Sequence, residues 1–218
     1  MDGPNESFTE TLPAQLYLLA CDPDKERVIH RDNLGYVVRA AALAELEARG
    51  CVTDDGGKVR ARDRRTGDGF LDGVLRGVAA QSRPRRWKTL VAKDRRQTLL
   101  ALERALEKAG LVSVERRALR LTRVRARDVE LPARLRAEAA RVLGGEVPVA
   151  QVPPRQAALA ALSTLGKLSP SVTMRERHRN RARLKELTER VGPAGRALKK
   201  ALEARDAAAA SSGGGGGG

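Results

Sequence analysis

Residues 34–44 read Leu-Gly-Tyr-Val-Val-Arg-Ala-Ala-Ala-Leu-Ala, and Arg39 is the only charged residue among them. This composition is compatible with a helix, and its apolar character predicts that most of the helix is buried. A buried cation is costly unless an anion meets it. The anion is either an internal carboxylate or the phosphate or carboxylate of a ligand, so the partner of Arg39 bears directly on function.

Helical patterns extend from this run in both directions along the chain. Gly50 is a natural stop for the helix that carries Arg39, and Asp68 is a good N-cap for a helix with an apolar stripe. Asp94 is a candidate N-cap for a further helix, which Gly110 stops. The predicted helices are the one after Asp68 and those at 13–20, 34–49, 95–109, 133–143, 155–168, 174–190 and 194–207.

Two short β-hairpins are predicted between the helices. The first covers residues 51–62 and contains the turn signal Asp-Asp-Gly-Gly at 54–57. The second covers residues 111–124, where apolar residues alternate on either side of Glu115-Arg116-Arg117. We expect these three charged residues to form an exposed tip.

The order of these elements predicts a mainly α protein, a single helical domain with a protruding β-hairpin. A helix, a glycine, a small apolar pair and a hairpin occur at 41–61 and again at 100–122, which indicates a weak internal repeat. Residues 1–10 are acidic and are expected to be disordered, with no features of a signal peptide. Residues 11–206 form the helical domain, and residues 207–218 are a low-complexity Ala/Ser/Gly tail.

The charge balance points to a polyanionic partner. The 218 residues include 42 Lys and Arg against 27 Asp and Glu, for a net charge of +15. Arginine presents a planar fork that suits phosphate and carboxylate. Nucleic acid, an anionic membrane surface and acidic protein tails all fit this charge. A compositional bias of the genome explains the amount of charge equally well, but it does not explain where the charges lie.

Cysteine content and hydropathy limit the cellular setting. Cys21 and Cys51 are the only cysteines, too few for a disulfide framework or a zinc site, and they fit a reducing cytosol. No apolar run approaches the roughly 20 residues that a transmembrane helix needs. Any contact with a membrane is therefore expected to be peripheral.

No pattern in the sequence predicts catalysis. His30 and His178 lie far apart without a companion cysteine or a His-Glu motif, and no phosphate-binding glycine loop or nucleophile motif is present. We therefore expect no enzyme activity, no cofactor and no metal ion. The candidate functions are those of binding proteins.

The most basic segment, residues 82–96, surrounds the only tryptophan, Trp87. An indole flanked by cations suits a bilayer interface or a nucleic acid. The interpretation we favour is that Trp87 anchors a helix to the core while its charged neighbours are solvated. The arginines at 175, 177, 179, 181 and 183 spread around a helix and indicate a solvated surface.

Five features follow one another along the chain: Leu-Pro-Ala-Gln-Leu-Tyr-Leu-Leu-Ala at 12–20, the helix at 37–50, Thr66-Gly67-Asp68 followed by Leu71-Asp72, Trp87, and Leu-Glu-Lys-Ala-Gly-Leu-Val at 106–112. In this order and spacing they resemble the Golgi phosphoprotein 3 family of phosphatidylinositol-4-phosphate effectors. The resemblance covers about residues 12–202 and is thinner after residue 124. It implies a mostly helical domain with a protruding hairpin, on the cytosolic face of Golgi membranes, that holds glycosyltransferase tails.

The resemblance also implies a shallow basic pocket for the lipid headgroup. In the family a tryptophan and three arginines bind the headgroup, and these positions fall on His30, Arg39, Arg96 and Leu99 in this sequence. Two arginines match, the tryptophan is replaced by His30, and Leu99 lacks the charge that a phosphate requires. Arg95 is a candidate substitute for the missing cation. The resemblance thus implies that Arg39 and Arg96 meet one phosphate.

The sequence therefore predicts a cytoplasmic, peripheral membrane protein that binds phosphatidylinositol 4-phosphate or a related anionic lipid. In a eukaryotic host it would lie on the cytosolic face of the Golgi apparatus. The alternative is a nucleic-acid-binding protein, because a helix followed by a basic hairpin resembles a winged-helix unit, although nucleic acid is the less favoured partner. A third hypothesis is a scaffold that self-associates through hairpin 111–124.

Overall fold

The computed structural model describes residues 8–116, 122–169 and 172–212. The fold is mainly α, with ten α-helices and a few short antiparallel strands in these residues, as the sequence predicts. The helices are α1 (Leu12–Leu19), α2 (Arg31–Ala48), α3 (Gly69–Ala79), α4 (Trp87–Ala92), α5 (Arg95–Lys108), α6 (Leu131–Gly144), α7 (Pro154–Leu165), α8 (Met174–Arg179), α9 (Arg181–Val191) and α10 (Pro193–Ser212).

The strands form three small antiparallel units. They are β1 (Cys21–Asp22), β2 (Arg27–Val28), β3 (Val52–Asp55), β4 (Lys58–Ala61), β5 (Arg85–Arg86), β6 (Val112–Arg116) and β7 (Thr122–Ala126), paired as β1–β2, β3–β4–β5 and β6–β7. Gly56 and Gly57 close the β3–β4 turn with φ values of 58° and 80°. Both residues of such a two-residue turn need positive φ, which glycine adopts at little cost.

Helix α2 is the centre of the molecule. Its run of small and apolar residues, including Leu34, Val37, Val38 and Leu43, is fully buried. The helix packs against α1, α3, α4, α5, α7 and α10, so it is covered on every side except at its two ends. A helix that is apolar around most of its circumference is expected to lie in the core.

The internal repeat predicted from the sequence is present as two helix–hairpin units that share backbone geometry. Gly50 after α2 and Gly110 after α5 have φ values of 66° and 69°. The next amide of each unit, at Cys51 and Leu111, donates back into its helix at 2.8 and 2.9 Å. Each helix also begins after a residue with positive φ, His30 at 44° and Asp94 at 53°. Asp94 occupies the predicted cap position, but its side chain makes no capping hydrogen bond.

Trp87 serves as an anchor, which confirms the interpretation we favoured. Its side chain is buried, and its indole Nε1 donates a 2.7 Å hydrogen bond to Oδ1 of Asp54 in β3. The bond ties the start of α4 to the β3–β4 hairpin. The indole is thus committed to the interior, so it does not offer its face to a membrane or a nucleic acid.

The structure departs from the predicted boundaries in the C-terminal part. The predicted helix 174–190 is divided into α8 and α9 at Asn180, whose φ and ψ are −94° and 19°. Helix α10 continues to Ser212, so the first residues of the 207–218 tail are helical. Poly-alanine has a high helix propensity, which accounts for the extension.

The second hairpin forms as β6 and β7, with Val114 opposite Val124. Glu115 lies within β6 rather than at the tip. Its Oε1 accepts a 3.1 Å hydrogen bond from Arg125 of β7. Arg116 is the last residue of β6, and Arg117 lies outside the described residues. Self-association through 111–124 accordingly stays a prediction.

Candidate anion-binding site

The first turns of α2 and α5 line one cavity of about 200 Å³. The N-cap residues of these helices are His30 and Asp94, and neither side chain accepts a hydrogen bond from the first amides of its helix. The first amides of a helix lack partners within it, and they carry the positive end of the helix dipole. The cavity therefore lies beside two positive helix ends. Its lining residues are Arg31, Asp32, Gly35, Arg95, Arg96, Leu99 and Leu100.

Gly35 allows the two first turns to meet. A Cβ at this residue would lie 3.3 Å from the carbonyl oxygen of Arg95 and 3.6 Å from its Cγ. A contact of 3.3 Å requires the neighbour to move by a few tenths of an ångström, and a packed helix backbone resists such a shift. The absence of a side chain at Gly35 thus sets the spacing between α2 and α5 at the cavity.

Arg31 is held by a buried carboxylate. Its guanidinium forms a two-pronged ion pair with Glu103 of α5, with Nη2 at 2.7 Å from Oε2 and Nη1 bonded to Oε1. The hydroxyl of buried Tyr17 donates to the same Oε1 at 2.7 Å. The hydrogen bond to Glu103 raises the pKa of Arg31, and burial, with the charge of Glu103, raises the pKa of Tyr17.

The side chain of Arg95 is held by its neighbours, and that of Arg96 is not. Arg95 donates from Nη1 to the carbonyl of Ala92 at 3.1 Å, and its guanidinium lies 4.4 Å from the ring centre of Tyr36. Such stacking on an aromatic face fixes the orientation of the cation. Arg96 is exposed and forms no hydrogen bond or ion pair with the residues described. Arg96 is therefore available to a ligand, and Arg95 is already oriented.

Arg39 is not in this cavity. It lines a neighbouring cavity of about 470 Å³, together with Arg76 and Gln97. Its Nε donates to the carbonyl of Leu90 at 3.0 Å, and its Nη1 donates to the hydroxyl of Thr98 at 3.2 Å. The structure therefore brings Arg95 and Arg96 together but places Arg39 on the other side of the first turn of α5.

Arg39 is a buried cation whose hydrogen-bond partners are neutral oxygens. The side chain is only 3% exposed, and no ion pair joins it to a carboxylate within residues 8–116, 122–169 and 172–212. Burial lowers the pKa of Arg39, and the charge of Asp94 offsets this only in part. Two neutral oxygens accept hydrogen bonds from the guanidinium, and no carboxylate of the described residues pairs with it.

The remaining predicted positions lie at or next to the smaller cavity. His30 is exposed and immediately precedes Arg31, but it does not line the cavity. Leu99 does line it, as a buried apolar wall. Arg31 was not predicted, because its orientation depends on Glu103, which is 72 residues away. No local pattern in the sequence signals such a pair.

The described residues contain no cluster of His, Cys, Asp or Glu arranged to hold a metal ion. Among the helices in the described part of the chain, none has both the length and the apolar character needed to cross a bilayer. The fold and the cavity thus define a mainly α-helical protein with an arginine-lined cavity between two helix N-termini.

The chain belongs to the Golgi phosphoprotein 3 (GPP34) family, whose model matches residues 12–205. This match confirms the resemblance that the sequence motifs indicate. No curated protein matches the chain. The family is non-enzymatic, and membership supports a Golgi-associated role related to phosphatidylinositol 4-phosphate at the level of the family.

Proposed function

We propose that this protein is a peripheral membrane protein that binds the headgroup of phosphatidylinositol 4-phosphate, or of a related anionic lipid, in the cavity between the first turns of α2 and α5. The observation that carries the proposal is the convergence of two uncapped helix N-termini with Arg31, Arg95 and Arg96 on one open cavity. Helix N-termini and arginine side chains both bind phosphate well in proteins.

The energetics favour an anion at this place. Each helix end contributes about 0.3–1 kcal/mol to a nearby negative charge, and each charge-assisted hydrogen bond contributes about 1.5–3 kcal/mol. Asp32 also lines the cavity and opposes an anion. Three arginines and two helix ends outweigh this single carboxylate. Glu103 neutralises much of the charge of only one of the three arginines, Arg31.

The surroundings of the cavity suit a membrane surface. Leu100 lines the cavity and is 43% exposed, so an apolar side chain stands beside the free cation of Arg96. The net charge of +15 attracts an anionic leaflet, at about 1 kcal/mol for each basic residue close to the surface. Salt screens this attraction, so binding is reversible and falls with ionic strength.

The other predicted residues have indirect roles in this proposal. Arg39 is a positioning residue, because its hydrogen bonds hold the end of α4 at Leu90 and the first turn of α5 at Thr98. His30 fixes the start of α2, since its carbonyl accepts the amide of Leu34 at 2.9 Å. In a eukaryotic cell, we expect the protein on the cytosolic face of the Golgi.

The test is flotation with phosphatidylcholine vesicles that contain or lack phosphatidylinositol 4-phosphate, using the wild type and Arg96→Ala. Arg104→Ala is the matched control, because Arg104 is also exposed on α5 but does not line the cavity. We expect Arg96→Ala to weaken binding about tenfold or more, as for the loss of one charge-assisted contact. Arg104→Ala should change it much less.

Equal binding by both variants would remove the basis for the cavity as the headgroup site. The same proteins should be tested with duplex DNA at physiological salt. Retention on DNA, with a steep loss on adding salt and no preference for the lipid, would favour the nucleic-acid alternative instead.

A further inference from the structure

A further arginine-lined cavity lies between the segment after β4 and helix α3. Its volume is about 320 Å³, and Leu75 and Ala79 supply its apolar part. It shares no residue with the cavity between α2 and α5. Its charged lining residues are Arg62, Arg64, Arg65 and Arg76, with Asp63 and Asp72.

The positive charge of this cavity is only partly offset within the described part of the chain. None of the four arginines forms an ion pair there, although four cations around one small cavity repel one another. Asp72 also lines the cavity, and its Oδ1 accepts the amide and the hydroxyl of Thr66, both at 2.8 Å. These two hydrogen bonds lower the pKa of Asp72, so it remains charged and bound to Thr66.

The segment that carries three of the arginines is fixed at both ends. The amide of Arg62 donates to the carbonyl of Cys51 at 2.8 Å, extending the hairpin ladder. At the other end, Thr66 is bonded to Asp72, and the carboxylate of Asp68 caps α3 by accepting the amide of Leu71 at 2.9 Å. A ligand therefore meets a segment whose backbone is already ordered, which lowers the entropic cost of binding.

We propose that this cavity is a second anion-binding site, for a phosphate group that carries at least two negative charges. Four arginines and two aspartates leave two net positive charges around the cavity, which a phosphate monoester or a diphosphate matches. The guanidinium fork binds two oxygens of such a group at once. The phosphate comes either from a soluble phosphorylated compound or from the headgroup of a lipid, and the site adds to the function proposed for the α2–α5 cavity.

The test is calorimetric titration of the full chain with pyrophosphate at constant ionic strength. The cavity variant is Arg62→Gln with Arg65→Gln. The other two arginines are left unchanged, because the guanidinium of Arg64 lies beside Gly50 and Arg76 also lines the Arg39 cavity. The matched control is Arg104→Gln with Arg175→Gln, two exposed arginines that line none of these three cavities. Both doubles remove two positive charges from the surface.

We expect saturable binding that the cavity double weakens about tenfold or more and the control double changes about twofold or less. Vesicles of phosphatidylcholine with phosphatidic acid then identify the source. If the cavity double variant also fails to bind these vesicles, the phosphate belongs to a lipid. If it still binds them, the phosphate belongs to a soluble compound.

Three results would overturn the proposal. One is the absence of saturable pyrophosphate binding by the wild type, and another is an equal loss in the two doubles, which would mean a general charge effect. The third is a loss with Arg96→Ala as large as with the cavity double, because pyrophosphate would then occupy the α2–α5 cavity. If Arg96→Ala does not weaken binding to phosphoinositide vesicles, only the proposal for the α2–α5 cavity fails.

Discussion

Gly35 lies against the backbone of Arg95, whose carbonyl oxygen is 3.3 Å from the place that a Cβ at residue 35 would take. The contact joins two helix–hairpin units that are about sixty residues apart in sequence, and it brings the first turns of α2 and α5 to one cavity. The shape of the candidate site therefore depends on one missing side chain.

Gly35→Val is expected to destabilise the fold and weaken lipid binding together. The branched side chain must displace the backbone of Arg95, and overpacking of this kind costs about 1–3 kcal/mol. The displacement also moves the first turn of α5 away from the cavity. Chemical denaturation and flotation with phosphoinositide vesicles measure the two effects.

Gly77→Ala is the control, because nothing lies within 4 Å of a Cβ at that position in α3. Replacing glycine by alanine at an open helical position raises the free energy of unfolding by about 0.4–1 kcal/mol. The variant should keep full vesicle binding. A Gly35→Val protein that binds vesicles like the wild type would show that the close contact does not shape the site.

Tyr17→Phe tests the buried network beneath the cavity. The change removes the 2.7 Å hydrogen bond to Glu103 but leaves Arg31 as its partner. We expect the free energy of unfolding to fall by about 1–2 kcal/mol, as measured by denaturation in urea. An unchanged stability would mean that Arg31 alone satisfies the carboxylate.

The buried thiol of Cys21 is expected to lower the free energy of unfolding at alkaline pH. Burial raises the pKa of its thiol from 9.0 to about 12. Above pH 9 the unfolded chain releases this proton while the folded protein keeps it, so the free energy of unfolding falls as pH rises, by about 1.4 kcal/mol per unit. The stability is complete below pH 9 and is lost between 9 and 12.

Denaturation of the wild type and Cys21→Ala across this range isolates the effect, since Tyr17 ionises in the unfolded chain of both proteins. The two curves should run parallel near neutral pH and converge above pH 9. Curves that stay parallel throughout would show that the thiol ionises equally well in the folded protein.

Arg39→Ala separates positioning from ligand contact. The variant loses a buried side chain and the hydrogen bonds to Leu90 and Thr98, and we expect a destabilisation of about 2–4 kcal/mol. Because Arg39 faces a different cavity, vesicle affinity, measured well below the unfolding temperature, should fall less than for Arg96→Ala. An equal or larger fall would mean that Arg39 touches the headgroup itself.

Much of the fold could be predicted because local sequence patterns determine it. The run at 34–44, the glycines after α2 and α5 and the turn at Gly56-Gly57 each specify their own geometry. The division between α8 and α9 at Asn180 could not be predicted, since the arginine-rich pattern runs through it without a breaker.

The site was less predictable for a related reason. Burial of Arg39 follows from its neighbours in sequence, but which cavity it faces depends on where α4 and α5 pack. Likewise, the role of Arg31 depends on Glu103 and Tyr17, which reach it from two other helices. Side-chain direction across a helix interface is a tertiary property, and a local pattern does not encode it.

The most direct measurement is a backbone amide NMR titration with the soluble headgroup inositol 1,4-bisphosphate. The amides at the start of α2, at Arg31 and Asp32, and those at the start of α5, at Arg95 and Arg96, should shift together with one dissociation constant. Arg96→Ala should raise that constant about tenfold or more. Shifts confined to one of the two helix starts, or absent from both, would contradict a single anion site between them.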